Sequence, residues 1–337
     1  MLTIGIIGAG RIGRVHATSI THYVPQARIK TISDVNITPE LQQWANSLGI
    51  KEVCNDYHTI LADKEIDAVL ICSSTDTHAT IAIEAANAGK HIFCEKPVDT
   101  QVGRIKQVIA AVDQNNVKFQ VGFNRRFDHN FKALQSFVTK GKIGQPHIIR
   151  ITSRDPDAPS LSYVKVSGGI FLDMTIHDFD MARYLSGAEA EEVYVAGAVL
   201  VDPAIGEAGD IDTAIITLKM SNGSMVVIDN SRKAAYGYDQ RAEVFGSLGA
   251  VESQNDTDST IRYSHNASIE SEKPKYFFLE RYMQSFADEM KCFVDAVINN
   301  TPTPVTTLDG LAPVRIALAA KRSLQENRPV KLSEIES

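Results

Sequence analysis

Three polar side chains interrupt an otherwise apolar stretch of the sequence, GGIFLDMTIHDFDMARYL at residues 168–185. One continuous helix would present Asp173, His177 and Asp180 on a single face, because a helix completes a turn every 3.6 residues. Two carboxylates and an imidazole on one face suit three kinds of chemistry. They can bind a divalent metal ion, form a buried hydrogen-bond network, or move a proton to and from a ligand. This stretch by itself leaves all three open.

A glycine-rich segment near the N-terminus predicts a dinucleotide site. GAGRIG at residues 8–13 follows an apolar run, opens a helical pattern and has the GxGxxG spacing. In this motif the first glycine permits a tight turn, the second lets a pyrophosphate approach, and the third allows close helix–strand packing. The N-terminus of the following helix offers N–H groups to the phosphates. The predicted cofactor contacts in the turn are Gly8, Ala9, Gly10, Arg11, Ile12 and Gly13.

An acidic residue, Asp34, ends the next strand-like run and indicates which cofactor to expect. A carboxylate at this place accepts hydrogen bonds from both hydroxyls of the adenosine ribose and repels a 2′-phosphate. Val35 and Asn36 supply no cation that would offset this repulsion. We therefore expect NAD in preference to NADP.

The hydrophobic pattern predicts the elements that position these residues. Up to residue 123, apolar runs such as LTIGIIG and DAVLICSS alternate with helical segments, which is typical of a parallel sheet covered on both faces. From residue 124, strand-like runs and an Asn-Gly turn predict a meandering antiparallel sheet. We predict an α/β Rossmann domain at 1–123 and an α+β domain at 124–337 with a large, mainly antiparallel open sheet, for substrate binding and oligomerisation. The C-terminal helices are free in this scheme to pack back on the first domain.

Composition and charge restrict the class of protein. The chain has 337 residues, of which 44% are hydrophobic and 22% charged, as in soluble globular proteins of two domains. Its net charge of −7 argues against a nucleic-acid partner. No apolar run is long enough for a membrane span, and the N-terminus lacks the cationic region of a signal peptide. Four cysteines without CxxC spacing fit a reducing compartment, so we expect a cytoplasmic protein.

Three motifs taken together resemble those of a known family. GAGRIG, EKP at residues 95–97 and GGIFLDMTIHDFD match the pattern of the glucose–fructose oxidoreductase, inositol dehydrogenase and Rhizopus-type oxidoreductase family. GFNRRFD, GGIFLDMTIHDFDM and YGYDQRAEVFG are similar to stretches of its inositol 2-dehydrogenases. The resemblance covers nearly the whole chain. It implies a metal-free, NAD(P)-dependent enzyme that is commonly a homotetramer, which we expect to form through the open sheet of the second domain.

The resemblance also implies roles for single residues. Lys96, Asp173 and His177 match the catalytic triad of the family, which favours the proton-transfer interpretation of the opening stretch. The residues expected to bind substrate are Lys96, Arg126, Asp155, Asp173, His177, Asp180 and Tyr236. The remaining residues that we assign to the cofactor site are Val35, Ser73, Ser74, Thr75, His78, Glu95 and Lys96.

The expected chemistry is oxidation of an alcohol. His177 is the best candidate for the base because imidazole titrates near neutral pH, and Lys96 would stabilise the developing alkoxide while Asp173 orients the pair. A neutral Lys96 acting as the base is the alternative. The implied reaction is NAD-dependent oxidation of myo-inositol to 2-keto-myo-inositol (scyllo-inosose) in inositol catabolism. A scyllo-inositol dehydrogenase or an NAD(P)-dependent, glucose-type sugar dehydrogenase could carry the same triad, whereas a non-catalytic NAD sensor has no use for it.

Overall fold

The structure is a computed structural model that describes residues 1–335. The chain divides into two compact units. The first contains residues 1–127 and 283–314, and the second contains residues 128–282 and the described residues from 315 onward. Within residues 1–335, none of the helices is both long and apolar enough to cross a membrane.

Residues 1–127 alternate strands with helices. They form β1 (Leu2–Ile7), α1 (Arg11–Tyr23), β2 (Ala27–Ser33), α2 (Pro39–Ser47), β3 (Glu52–Cys54), α3 (His58–Ala62), β4 (Ala68–Ile71), α4 (Thr75–Asn87), β5 (His91–Cys94), α5 (Val102–Asn115), β6 (Phe119–Val121) and a 3₁₀ turn (Asn124–Phe127). The six strands form one sheet in the order β3-β2-β1-β4-β5-β6, and every neighbouring pair is parallel. This is the predicted Rossmann sheet. Ligands of such sheets bind where the strands end, at their carboxyl edge.

Residues 128–282 contain most of the second sheet. They form α6 (His129–Thr139), β7 (Pro146–Arg154), α7 (Leu161–Val164), α8 (Ile170–Asp173), α9 (Ile176–Ser186), β8 (Ala190–Ala198), α10 (Pro203–Glu207), β9 (Thr213–Met220), β10 (Met225–Ser231), β11 (Asp239–Gly246), β12 (Gly249–Ser253), β13 (Arg262–Ser264), β14 (Ile269–Ser271) and α11 (Phe278–Arg281). The chain continues with α12 (Met283–Ile298), α13 (Thr307–Glu326), β15 (Val330–Lys331) and a 3₁₀ turn (Leu332–Glu334).

The large sheet has seven strands in the order β12-β11-β7-β10-β9-β8-β15. The prediction of a mainly antiparallel sheet is confirmed, but the simple meander is wrong at one place, because β7 and β10 pair in parallel. Strands β8 and β9 come between β7 and β10 in the chain, but in the sheet they lie on the side of β10 that faces away from β7. The chain therefore returns to the side of β7, and β10 runs in the same direction as β7. Burial alternates along β9, where Ile216 and Leu218 are buried and Ile215 is 48% exposed, so one face of this sheet covers a core.

The prediction of one continuous helix through GGIFLDMTIHDFDMARYL is wrong. The stretch forms α8 and α9, separated by Met174 and Thr175. The Thr175 N–H donates to the carbonyl of Ile170, five residues back, at 2.9 Å, which widens the helical turn. The buried Thr175 hydroxyl donates to Asn230 at 2.6 Å and holds the turn against β10. Asp173 therefore ends one short helix, whereas His177 and Asp180 lie on the next.

Candidate active site

The glycine-rich turn has the shape that a dinucleotide requires. Gly8 has φ +97°, and a Cβ there would lie 2.6 Å from the carbonyl of Cys72. A Cβ on Gly13 would lie 2.0 Å from the carbonyl oxygen of Gly8, so the turn closes tightly on α1. A Cβ on Gly10 would meet open space, and Gly10 caps α1 without a side chain. The backbone N–H groups in the first turn of a helix have no acceptor within the helix, so those of α1 can donate hydrogen bonds to a pyrophosphate. The glycine-rich turn and the start of α1 therefore fit NAD.

The carboxylate of Asp34 lies against the glycine-rich turn. Its Oδ2 accepts the Ala9 N–H at 2.7 Å and its Oδ1 accepts the Asn36 N–H at 2.9 Å. A carboxylate has about four lone-pair sites, so two backbone contacts leave capacity for ribose hydroxyls. Val35 is 94% exposed and brings no charge. Asp34 therefore fixes the end of β2 to the turn and keeps a negative charge at the expected ribose position.

We predict that replacing Asp34 by Ala lowers the preference for NAD over NADP by about tenfold or more, because a hydrogen bond to a charged group contributes about 1.5–3 kcal/mol. The measurement is the ratio of kcat/KM for NAD to kcat/KM for NADP. Asp34→Asn is the matched control for charge, since it keeps an acceptor oxygen and nearly the same shape. An unchanged ratio in Asp34→Ala would mean that the ribose is held by other residues.

The loops after β4 and β5 are joined by a buried histidine. His78 is 2% exposed, and its Nδ1 lies 2.9 Å from the Pro97 carbonyl oxygen while its Nε2 lies 3.0 Å from that of Ser73. The Ser73 hydroxyl lies 2.7 Å from that of Thr77. His78 thus supports the backbone of the expected cofactor site through both ring nitrogens. Ser74 and Thr75 lie at the start of α4, where Ser74 is the N-cap residue.

Lys96 is the second residue after β5 and is half-buried. The neighbouring Glu95 is 9% exposed, and its Oε2 accepts the Lys96 N–H at 3.2 Å. Its Oε1 lies 2.7 Å from Nε2 of His16 on α1. Further along the first unit, Arg126 in the 3₁₀ turn forms an ion pair with Asp309 at 2.9 Å. Lys96 therefore lies at the carboxyl edge of the sheet, and its backbone N–H is bound by the buried carboxylate of Glu95.

In the second unit, Asp173 is held by two side chains that the sequence did not single out. Arg232, 2% exposed, donates from Nη1 to Asp173 Oδ2 at 2.8 Å. The Tyr163 hydroxyl donates to Asp173 Oδ1 at 2.8 Å. Arg232 also lies 4.0 Å from Asp155 and 3.9 Å from Asp210, so three carboxylates surround one buried guanidinium. These contacts favour an ionised Asp173 in a fixed orientation.

We predict that Arg232→Lys lowers kcat by about tenfold or more, because an ammonium group cannot reproduce the directed contacts of a guanidinium. Lysine is chosen because it keeps the positive charge: complete removal of one partner from a buried ion pair costs about 3–5 kcal/mol of stability. The matched control is Arg322→Lys, since Arg322 lies on α13 in the same unit and forms an exposed pair with Glu326. Steady-state kinetics and thermal unfolding measure both variants. Wild-type kcat in a folded Arg232→Lys variant would remove Arg232 from this role.

The other polar residues of the opening stretch differ in burial. His177 is half-buried near the start of α9. Asp180 is fully buried, with Oδ1 3.8 Å from Nη1 of Arg183. Asp178, which the sequence interpretation passed over, is fully buried and accepts a hydrogen bond from Asn230 at 2.9 Å. Since Asn230 also binds Thr175, α9 is fixed to β10 on both sides of His177.

Tyr236 lies in a separate network of the second unit. It is 41% exposed, and its hydroxyl donates to Asp239 at 2.5 Å and accepts from Arg154 at 2.9 Å. Burial and the hydrogen bond to Asp239 raise the pKa of the Tyr236 phenol, so it remains a neutral hydroxyl. Its neighbour Tyr238 is buried and packs edge-on against Tyr282. The role of Tyr236 in substrate binding stays a prediction.

The doubly wound sheet, its glycine-rich turn and Asp34 define the first unit as that of a nucleotide-dependent oxidoreductase. Comparison with known proteins agrees. Residues 2–123 match the model described as "Oxidoreductase family, NAD-binding Rossmann fold", and residues 131–252 match the GFO/IDH/MocA C-terminal domain. The chain belongs to the GFO/IDH/MocA oxidoreductase family, and its first domain is an NAD-binding Rossmann domain.

Relatives of known activity are similar over their full lengths. The chain is 47% identical to the myo-inositol 2-dehydrogenase of Thermotoga maritima, covering 99% of each chain. It is 42% identical to the inositol 2-dehydrogenase of Rhizobium meliloti, covering 98% of each. The crystal structure of scyllo-inositol dehydrogenase from Lactobacillus casei, with bound NAD(H) and scyllo-inositol, superposes with a TM-score of 0.91 at 33% identity and 99% coverage of both chains.

Proposed function

We propose that this protein catalyses NAD-dependent oxidation of myo-inositol to 2-keto-myo-inositol (scyllo-inosose). The observation that carries the substrate class is the set of fixed polar groups around Asp173: a phenol, a buried guanidinium and two further carboxylates. A polyol has many hydroxyl groups and little apolar surface, so its site requires many oriented donors and acceptors. The full-length similarity to two inositol 2-dehydrogenases supports the choice of inositol.

In this proposal Lys96, Asp173 and His177 act on one hydroxyl group of the substrate. When bound, NAD supplies the nicotinamide carbon that accepts the hydride. His177 removes the hydroxyl proton as general base, and the Lys96 ammonium donates a hydrogen bond to the same oxygen as negative charge develops. Asp173, fixed by Arg232 and Tyr163, orients the imidazole and balances its charge once protonated. The alternative is that a neutral Lys96 is the base.

The remaining residues of the proposed site would select the substrate. Arg126, Asp155, Asp180 and Tyr236 have side chains that form directed hydrogen bonds with hydroxyl groups. A site with fixed polar groups rejects a stereoisomer because its buried donors and acceptors are left without partners. The runner-up functions are oxidation of scyllo-inositol, supported by the similarity to the Lactobacillus casei enzyme, and oxidation of a glucose-type sugar.

An initial-rate panel tests the proposed function. Purified protein is assayed with myo-inositol, scyllo-inositol and glucose, each with NAD and with NADP. We expect the highest kcat/KM for myo-inositol with NAD, and no change of rate after treatment with a chelator, since the proposed relay contains no metal. A higher kcat/KM for scyllo-inositol or glucose would transfer the assignment to that substrate. Loss of activity with the chelator would restore the metal interpretation of Asp173, His177 and Asp180.

We also propose a cytoplasmic homotetramer. The face of the large sheet opposite its core carries large apolar side chains, among them Ile215, Met225 and Phe245, which are 48%, 51% and 44% exposed. Exposed apolar side chains of this size, with charged pairs such as Arg150–Glu243 between them, are suited to burial against a second copy. Light scattering of the purified protein measures the mass of the assembly.

A further inference from the structure

A second cluster of titratable side chains lies inside the first unit. His16 on α1, Glu95 after β5 and Glu289 on α12 are buried, and His16 and Glu289 are completely so. His16 Nε2 lies 2.7 Å from Glu95 Oε1 and 4.0 Å from Glu289 Oε1. One potential ligand atom from each side chain falls within 4.8 Å of the others. The cluster is close enough for its three groups to share protons or to bind an ion.

The surroundings of the cluster disfavour more than one buried negative charge. The His16 ring packs edge-on against Phe93 and Phe286, with ring centroids 4.9 and 5.7 Å away. Glu95 has two partners, because its Oε1 lies 2.7 Å from Nε2 of His16 and its Oε2 accepts the backbone N–H of Lys96 at 3.2 Å. Both carboxyl oxygens of Glu289 are buried and have no hydrogen-bond partner among the described residues. A carboxylate without partners in apolar surroundings is far less stable than the neutral acid.

We infer that Glu289 is a buried carboxylic acid that keeps its proton at neutral pH and positions Glu95, and through Glu95 the backbone of Lys96. A neutral Glu289 leaves Glu95 as the single carboxylate of the cluster, so that one imidazole and one backbone N–H satisfy it. Burial raises the pKa of Glu289 well above its usual value, and the charge of Glu95 raises it further. The inference that Glu289 positions the backbone of Lys96 for catalysis rests on the proposed function of Lys96. The inference that Glu289 keeps its proton does not.

The carboxyl group of Glu95 is tightly enclosed by neighbouring elements of the first unit. A Cβ on Gly122 would lie 3.0 Å from the Glu95 carboxyl group, so the backbone after β6 packs directly against it. Gln120 on β6 donates to the backbone carbonyl of Glu289 at 3.0 Å and ties α12 to the sheet. The carboxyl group of Glu95 is therefore enclosed by β6, α1 and α12, and it holds the residue that precedes Lys96.

Other titratable or charged groups lie on the elements around Glu289. On the elements that pack against α12, the titratable or charged groups are Arg11, Arg14, His16, His22 and Tyr23 of α1 and Arg125 and Arg126 of the 3₁₀ turn. Asp288, Lys291, Cys292 and Asp295 share the helix of Glu289, and the carboxyl of Glu95 and the thiol of Cys72 also interact in this region. Arg126 is paired with Asp309. Burial raises the pKa of the Cys72 thiol, and the charge of Glu95 adds to this, so that thiol stays neutral. His16 lies 4.0 Å from Glu289, measured from Nε2 to Oε1.

The test compares the pH dependence of unfolding in wild type and Glu289→Gln. A carboxyl group whose pKa is raised by folding stabilises the fold fully below its unfolded pKa, and that stability is lost as pH rises toward the folded pKa. The folded wild type then binds one proton more than the unfolded chain. The ratio of the wild-type unfolding constant to that of Glu289→Gln is therefore expected to rise by about tenfold for each pH unit in this window.

Two further measurements separate protonation from alternatives. Infrared difference spectra at neutral pH are expected to show a carboxylic-acid carbonyl band that disappears in Glu289→Gln. A ratio of unfolding constants that is independent of pH, with no such band, would overturn the inference. So would stoichiometric zinc or manganese in purified wild type that is lost in Glu289→Gln, because the cluster would then be a metal site.

Kinetics test the positioning part. Glu289→Ala is expected to lower kcat by about tenfold or more with little change in the KM for NAD, and Glu289→Gln is expected to restore kcat, since the amide has the shape of the neutral acid. Wild-type kcat in a folded Glu289→Ala variant would overturn the positioning role. If Lys96 variants themselves remain active, the proposed function fails, while the pH dependence of unfolding still reports on the proton of Glu289.

Discussion

Replacement of Lys96 by Met is expected to lower kcat by about 10²–10⁴-fold while NAD still binds. Methionine keeps much of the length and apolar volume of the lysine side chain but cannot donate a hydrogen bond to a developing alkoxide. The residue lies at the carboxyl edge of the Rossmann sheet, and its backbone is held by the buried Glu95, so the change should stay local. The glycine-rich turn and Asp34 are untouched, which leaves NAD affinity in place. The measurements are kcat, KM for myo-inositol, and NAD affinity by titration.

The matched control for this experiment is Lys106→Met, because Lys106 is an exposed residue of α5 in the same unit. The control variant should have wild-type kcat. Near-wild-type turnover in Lys96→Met would refute the proposed relay. A variant that has lost NAD affinity together with kcat would show that the cofactor contact assigned to Lys96 is needed for binding, and the kcat at saturating NAD would then decide its role in the chemical step.

Replacement of His177 by Asn is expected to have an effect of similar size, about 10²–10⁴-fold on kcat, because it removes the proposed general base. Asparagine donates and accepts hydrogen bonds but does not titrate near neutral pH. Its side chain is also smaller, so α9 should remain folded against β10 through Asp178 and Thr175. The readouts are kcat and its dependence on pH. In the variant, the acidic limb of the profile that reports imidazole protonation should be absent.

His129→Asn is the matched control, since the His129 side chain is 66% exposed on α6 in the same unit. It should leave both kcat and the pH profile unchanged. If His177→Asn loses kcat but keeps the acidic limb, another group is the base. A neutral Lys96 is then the first candidate, and a pH profile of Lys96→Arg would test it.

The cofactor half of the account could be predicted from the sequence because its signals are local. GAGRIG places three glycines within six residues, and the strand–turn–helix around them is encoded by adjacent residues. Asp34 is one strand further along and lies against the same turn. Motifs of this kind require a single backbone geometry, so residue type and spacing suffice.

The substrate half depended on contacts that the sequence pattern does not contain. The helical spacing of Asp173, His177 and Asp180 gives no sign that the helix is interrupted between them. The interruption lies at Thr175, whose hydroxyl donates to Asn230, 55 residues later in the chain. Arg232 follows a strand and resembles a surface residue until the fold brings it 2.8 Å from Asp173. The apolar strand β10 directly before it was the one available signal that an arginine there could be buried.

The buried cluster around Glu289 illustrates the same limit. Its three residues come from α1, the loop after β5 and α12, and none belongs to a motif that indicates a partnership. The resemblance of EKP to the family motif predicts that Glu95 contributes to the cofactor site. The structure instead shows its carboxylate between His16 and the Lys96 N–H, so its contribution to a cofactor site stays a prediction.

The most direct test of the central claim follows the hydrogen atom that leaves the substrate. Myo-inositol carrying deuterium at C2, the carbon of the axial hydroxyl, is incubated with NAD and the purified protein. The account predicts one deuterium in each NADH formed and a lower rate than with unlabelled substrate. NADH without deuterium would show that the hydride comes from another carbon, and absence of any NADH would contradict the proposed reaction itself.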